Sequence, residues 1–214
     1  FIYHLYHTAR VCPFRHCGKG FFYSLKRGII RPARVTRGYA MKKDEIKDKK
    51  IGVLGLGVEG YVSAAYLHKL GAQVTVLDVK NEEEISRETK ANLQQLGVQF
   101  HFGKTYKDEL QGFDIIVRSP GVKLSLSERE ELKKHKTLIT SQTQLFLEWC
   151  PSRVIGVTGT KGKGTTSSLI YEMLKESGLD SYLGGNIGVP PFTFLDSLEK
   201  TSVVVLELSS FQLE

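Results

Sequence analysis

Acidic residues are absent from the first 40 positions, which carry eight Lys or Arg, while residues 41 to 214 hold 22 basic and 23 acidic groups. The formal charge of +7 therefore belongs to the opening segment, and the body, at −1, lacks the basic surface that marks a nucleic-acid binder; no nucleic-acid partner is expected. Cysteine is scarce too. Of three, only Cys150 lies in the body, which excludes a disulfide framework and fits a reducing compartment. Cys12 and Cys17, with His16 between them, lack a second ligand pair and make too little of a zinc site. No apolar run approaches the ~18 residues needed to cross a bilayer, so no membrane association and a cytoplasmic body are expected. Low-complexity tracts and short-period repeats are missing as well, which excludes solenoids. Position 1 is not Met, and the Phe-, Tyr-, His- and Arg-rich segment 1–40 has no sustained helical or alternating period. Residues 1–40 are expected to be an upstream or disordered leader, with Met41 the start of the body; an Arg-rich transit segment is the alternative.

At 214 residues there is length for one large domain or two modest ones. From Met41 onward short apolar runs alternate with amphipathic ones, the rhythm of a parallel α/β sheet. Strands are expected at Ile51–Leu54, Gln73–Leu77, Val98–Phe102, Phe113–Val117 and Leu138–Thr140, with helices at Tyr61–Leu70, Asn81–Leu96 and Gln142–Trp149. A further charged helix should begin at Ser127, with Glu130 as its capping-box partner. Pro151 breaks the chain, and Arg153–Val157 opens a new strand with its own Gly-rich loop. The expected fold class is α/β: a Rossmann-like parallel-sheet domain over residues 41–150, then an incomplete P-loop-type ATPase α/β domain over 151–214.

Gly55-Leu56-Gly57-Val58-Glu59-Gly60 follows an apolar strand and opens a helix, and Asp78 ends the next strand. This is Gly-x-Gly-x-x-Gly in its expected context: the glycines permit a tight turn and close approach of a diphosphate, whose charge the helix N-terminus stabilises. Such a loop reports a nucleotide diphosphate and leaves both NAD and a uridine-diphosphate sugar open. Ser119, Pro120 and Gly121 follow a later strand, where strand C-termini gather and ligands of open α/β sheets bind.

Gly156 to Lys163 departs from the Gly-x-x-x-x-Gly-Lys-Ser/Thr spacing, and Gly164 stands where the magnesium-binding hydroxyl should follow Lys163. The physical ingredients of a phosphate cradle are nonetheless present: a strand, flexible residues whose N–H groups can face phosphate, a Lys, and the hydroxyls of Thr165 and Thr166 at a helix start. Farther on, Glu207 ends the buried-strand run Val203–Leu206, a natural place for a metal bound to that phosphate.

The segment Gly159-Thr160-Lys161-Gly162-Lys163-Gly164-Thr165-Thr166, together with Gly185-Asn186-Ile187-Gly188-Val189-Pro190 and Glu207-Leu208-Ser209-Ser210-Phe211-Gln212-Leu213-Glu214, resembles the Mur ligases, ATP-dependent amide-bond ligases of bacterial cell-wall synthesis. The resemblance covers Lys49 to Glu214. It implies ATP and Mg2+ as cofactors and, as partners, UDP-N-acetylmuramoyl-L-alanine and D-glutamate. The former's carboxylate would be phosphorylated and the latter's amine would displace the phosphate, in a monomer. By resemblance, Lys163 would hold the β and γ phosphates within a nucleotide loop running from Thr158 to Thr166. Glu207, with Thr165 or Thr166, would serve magnesium, and Asn186, Ser209 and Gln212 would line the muramoyl-peptide side. Gly55, Gly57, Val58, Glu59, Gly60, Asp78, Lys80, Ser119, Pro120 and Gly121 would surround the uridine diphosphate. Gly164 departs from the family pattern toward that of folylpolyglutamate synthases, and Lys80 stands where Arg is common. A folylpolyglutamate synthase-like ligase and an NAD-binding regulatory module are the alternative readings. Because the family's modified lysine, second-metal histidine and D-glutamate domain would lie beyond Glu214, the chain as given is expected not to turn over.

Overall fold

The computed structural model describes residues 23–26, 29–32, 41–108 and 110–212. Cys12, His16 and Cys17, and the terminal Leu213 and Glu214, lie outside the described residues. Within the segment expected to be a leader, β1 (Tyr23–Lys26) and β2 (Ile29–Pro32) pair antiparallel, a regular element that the lack of periodicity there did not announce. The chain divides into two units, one of Met41–Leu145 and one of Phe146–Glu214 with Phe1–Ala40.

The first unit is built on β3 (Lys50–Leu54), α1 (Val58–Lys69), β4 (Gln73–Asp78), α2 (Arg87–Gln95), β5 (Gln99–Phe102), β6 (Ile115–Arg118), α3 (Leu126–Lys134) and β7 (Leu138–Thr140). Its strands form one parallel sheet in the order β5-β4-β3-β6-β7. Ile51 to Leu54 of β3 and all four residues of β6 are buried, as expected of parallel strands covered on both faces. Leu54, Leu77, Leu110, Ile116, Leu124 and Leu132 meet in one core cluster, with Phe113 and Tyr106 packed against it.

Two expected helices differ in detail. The Asn81–Leu96 helix is broken: a short 3-10 turn at Glu82–Glu84 is followed by extended Ile85, and α2 begins only at Arg87. Burying Ile85 needs that extended residue, and the Ser86 hydroxyl then accepts from the Thr89 N–H to start the helix afresh. In α3 the cap is Ser125, not Ser127. Glu128 Oε2 accepts the Ser125 N–H at 2.6 Å while the Ser125 hydroxyl accepts the Glu128 N–H at 3.2 Å. Both Ser125-x-x-Glu128 and Ser127-x-x-Glu130 satisfy the pattern, and the earlier pair also brings Glu128 to Lys107, 3.0 Å away.

Helix α4 (Gln142–Trp149) carries the chain from the first unit into the second, and the division falls within it, ahead of the expected boundary at 150/151. The reason is aromatic packing. Phe146 is fully buried edge-on against Phe194 (5.6 Å between centroids), and Trp149 stacks on Phe192 (5.6 Å), so the second half of α4 belongs to the second core. That unit continues with β8 (Arg153–Val157), α5 (Lys163–Glu176), β9 (Ser181–Gly185) and β10 (Val203–Glu207). The sheet is parallel, ordered β8-β10-β9, with all of β10 buried at its centre. Among the described residues no helix is long and apolar enough to cross a membrane.

Candidate functional site

In the first unit the chain leaves β3 for β4 and β5 on one side, then returns to β6 and β7 on the other, so a switch point lies between the carboxyl ends of β3 and β6. The two loops there are joined: Ser119 donates its N–H to Leu54 O at 2.9 Å and its hydroxyl to Gly55 O at 3.1 Å. Asp78, buried at the end of β4, spends its carboxylate on backbone. Oδ2 accepts the Leu56 N–H at 2.6 Å and Oδ1 the Lys80 N–H at 2.9 Å, which ties the first Gly-rich loop to the loop after β4. Gly60 lies against the same loop, where an added Cβ would stand 1.8 Å from Gly55 O, so only glycine permits this approach.

The rim of this site is open. Gly57 caps α1 without a side-chain bond, and an added Cβ at Gly57 or Gly121 would meet nothing within 4 Å. Val58 and Lys80 are exposed, and Glu59 and Pro120 are half-buried. A glycine-capped helix start over open space is suited to a diphosphate. Residues Gly55, Gly57, Val58, Glu59, Gly60, Asp78, Lys80, Ser119, Pro120 and Gly121 thus belong to the interlocked loops at one end of one sheet.

Two supports escaped sequence reasoning. Gln142, fully buried, donates to Glu59 O (3.0 Å) and Ser63 Oγ (2.8 Å), fixing the first turn of α1. Arg118 donates to Val122 O at 2.9 Å and holds the turn carrying Ser119 to Gly121. Gln142 had no local signal, since its partners lie about eighty residues earlier in the chain. Arg118 did: a cation closing an apolar strand, buried at 8% exposure, needs a partner.

In the second unit, parallel register sets Glu207 beside Val157 of β8 and Gly185 of β9. The loop from Thr158 to Gly162 therefore leaves one side of Glu207 and the turn at Asn186 leaves the other. Backbone bonds fasten both: Leu208 N–H to Val157 O at 2.8 Å, and Asn186 N–H to Glu207 O at 2.9 Å. Gly159, Thr160, Lys161 and Gly162 are exposed, Thr158 is half-buried, and Lys163 begins α5. Gly162 caps that helix without a side-chain bond, so this helix start too has N–H groups to offer an anion. Among the described residues no carboxylate pairs with the Lys163 ammonium.

Glu207 is 3% exposed. Its Oε1 accepts from Asn186 Nδ2 at 3.3 Å, while Oε2 is buried with no hydrogen-bond partner among the described residues. A buried, unpartnered carboxylate oxygen is costly unless a cation or proton completes it. This oxygen faces the start of α5, since a Cβ added at Gly164 would stand 3.9 Å from it. An oxygen donor beside a phosphate-type helix start suits a hard divalent cation such as Mg2+, which needs few protein ligands when phosphates and water supply the rest. Among the described residues no three His, Cys, Asp or Glu gather as a metal site, so any cation here would lean on such outside oxygens. Thr165 is exposed and Thr166 half-buried, with the Thr166 N–H bonded to Gly162 O, and a Cβ added at Gly164 would meet Glu207. Ser209 and Gln212 bond to one another, the Gln212 carbonyl accepting the Ser209 N–H at 2.9 Å and its hydroxyl at 3.2 Å.

Two family models match the chain: the Mur ligase MurD-like N-terminal domain over residues 49–141 and the Mur ligase middle domain over residues 157–214. The chain is 42% identical over 171 residues to UDP-N-acetylmuramoylalanine--D-glutamate ligase of Clostridium botulinum, covering 80% of this chain and 37% of that protein. It is 42% identical over 171 residues to the enzyme of the same name from Acetivibrio thermocellus, covering 80% and 36%. Among solved structures, a murein peptide ligase of Psychrobacter arcticus aligns with 74% of this chain and 37% of its own, at 24% identity and a TM-score of 0.46. The chain thus spans little more than a third of the length of the curated relatives it matches. With one domain model on each of its two nucleotide-type loops and its carboxyl-terminal motif inside the second, the chain belongs to the Mur ligase family.

Proposed function

We propose that this chain supplies the uridine-diphosphate site and the ATP-phosphate site of a ligase that joins D-glutamate to UDP-N-acetylmuramoyl-L-alanine in peptidoglycan synthesis. The observation that carries the proposal is the second loop: a Lys with no carboxylate partner among the described residues at an uncapped helix start, across from a buried carboxylate with one oxygen unpartnered among them. Such a pairing of positive cradle and orphan acceptor matches a nucleotide phosphate bridged to a cation, and a purely structural turn has no use for it. The 42% identity to ligases of that name favours this reading over a folate-type ligase or an NAD module.

The chemistry gives each residue a task. A carboxylate is a poor acyl donor, and transfer of the terminal phosphoryl group of ATP to it creates a leaving group that the amine of D-glutamate then displaces, giving an amide, ADP and phosphate. Lys163 and the N–H groups of Gly162 to Thr165 hold and orient the transferring phosphates, and positioning with charge stabilisation does most of the work in such transfers. Glu207 would hold Mg2+, which neutralises phosphate charge as transfer proceeds. Asn186, bonded to Glu207, and the Ser209–Gln212 pair would border the acceptor. The loop tied by Asp78, with Lys80 and Ser119 to Gly121, would hold the uridine diphosphate. Cytoplasmic location and a monomeric state accompany this reading.

Calorimetric titration of the 214-residue chain tests it. UDP-N-acetylmuramoyl-L-alanine and MgADP should each bind, K163A should weaken MgADP alone, and D78A should weaken the muramoyl nucleotide alone. Binding of NAD in competition with the muramoyl nucleotide, or indifference of MgADP binding to K163A, would defeat the proposal.

A further inference from the structure

The position after the phosphate-loop lysine ordinarily carries a hydroxyl that binds the nucleotide's cation, and here it is glycine. An added Cβ at Gly164 would stand 3.9 Å from Glu207 Oε2 and 3.9 Å from two methyl carbons of Ile187, ordinary contact distances with nothing closer. At position 164 there is therefore a gap that a Cβ would fill in ordinary contact with Glu207 Oε2 and Ile187. Thr165 and Thr166 do not inherit the direction, because successive residues of a helix turn by about 100°. The other end of the carboxylate is already committed. Asn186 donates to Oε1 and its backbone N–H binds Glu207 O, so the carboxylate is held with Oε2 toward the gap.

Resting on the phosphate-site reading above, we propose that Gly164 is an affinity-determining position: it leaves a cation held by Glu207 Oε2 one protein oxygen short, water fills the gap, and Asn186 is the positioning residue that keeps Oε2 turned toward it. Gly164→Ser would restore the missing oxygen without displacing backbone, since its Cβ has room. Gly164→Ala supplies the same Cβ and a larger gain in helix propensity but no oxygen, so tighter cation binding in the Ser variant alone isolates coordination from stability.

The experiment uses Mn2+ as the probe on the full 214-residue chain with ADP present. Free Mn2+ is read by electron paramagnetic resonance, and water bound to Mn2+ is counted by oxygen-17 line broadening. Gly164→Ser should tighten Mn2+ by about tenfold, the lower end of what a changed ligand environment commonly makes, and should remove one bound water. Gly164→Ala should do neither, Glu207→Gln should abolish the Mn2+ contribution, and Asn186→Ala should weaken it while Asn186→Asp does not rescue it. Equal affinity and equal water count for wild type and Gly164→Ser, with ADP still bound, would overturn the proposal. Loss of Mn2+ in Thr165→Val would overturn it as well, by placing the hydroxyl ligand there. Should Gly164→Ser fail to fold, Gly164→Thr and the wild-type water count decide the matter. ADP that fails to bind the wild-type chain in equilibrium dialysis would defeat the underlying phosphate-site reading, an outcome distinct from the other two.

Discussion

Replacing Gly60 by Ala pits two effects of opposite sign against each other. Gly60 lies inside α1, where Ala is intrinsically favoured over Gly by about 1 kcal/mol. The structure opposes that gain, because the new Cβ would stand 1.8 Å from Gly55 O where real contacts stop near 3.0 Å. The start of α1 and the Gly55 loop would have to part by the difference of 1.2 Å. Overpacking of this kind costs roughly 1–3 kcal/mol. Moving the Gly55 carbonyl also breaks its bond from the Ser119 hydroxyl, about 1 kcal/mol more. Subtracting the propensity gain leaves a net loss of roughly 1–3 kcal/mol in the first unit. The sole tryptophan, Trp149, lies in the other unit, so fluorescence would report the wrong event. Native-state hydrogen exchange of the β3 and β4 amides is the direct assay, and they should exchange about 5- to 150-fold faster than wild type. The proposed binding of the muramoyl nucleotide should weaken in parallel, because Leu56 and Ser119 move with Gly55. Unchanged or slower exchange, the result that propensity alone foretells, would refute the close-contact argument.

Further outcomes follow from other sites. Gly185→Ala should lower stability of the second unit by roughly 2–4 kcal/mol, since φ is +100° and an added Cβ would stand 2.2 Å from Glu207 O; a urea midpoint within error of wild type would count against the β9–β10 geometry. Phe146→Ala should cost about 3–5 kcal/mol in the Trp149-monitored transition, because the ring is fully buried against Phe194. For Glu128, burial pushes the carboxyl pKa up, but the Ser125 N–H, Lys107 and the Ser125 hydroxyl outweigh it and leave the pKa below its usual 4.5. Its contribution is therefore present above that value and lost as pH falls through the lower folded one, so Glu128→Gln should flatten the acid limb of α3 protection in hydrogen exchange. Burial raises the Cys150 thiol pKa, so in a C12S/C17S background iodoacetamide should label native protein at pH 8 more slowly than urea-unfolded protein, and equal rates would contradict the burial.

Strand identity and the two Gly-rich loops were legible in the sequence because their signals are local: apolar runs of Val, Ile and Leu, and glycines placed between a strand and a helix. Where local signals tie, tertiary packing decides. Ser125 and Ser127 both offer a capping box, and contact of Glu128 with Lys107, far away in sequence, selects the first. Ile85 fits a helical stripe as well as a buried extended residue, and burial won. The extent of α4 shared with the second unit depends on Phe192 and Phe194, some fifty residues on, and no pattern near Pro151 reveals them. At the second site Lys163 and Glu207 stood out as candidates because of the motifs they sit in. That Gly164 lies beside the carboxylate, and that Asn186 bonds its other oxygen, required strand register and helix phase together.

The register of β10 carries a kinetic meaning. Among the described strands β8 and β9 are not neighbours; each is joined to β10, and Val203 of β10 pairs with Arg153 of β8 across about fifty residues of chain. The second sheet therefore has no two-stranded precursor built from its earlier strands. Its hydrogen bonds arise when the last strand inserts, and non-local pairing of this kind is intrinsically slow. Since Glu207 ends that strand, the event that closes the sheet also delivers the carboxylate between the two loops. A ribosome-bound chain should hold neither the proposed nucleotide nor the proposed cation at this unit until β10 has emerged, and binding of both should become measurable in the same step as protection of the Val203 to Glu207 amides.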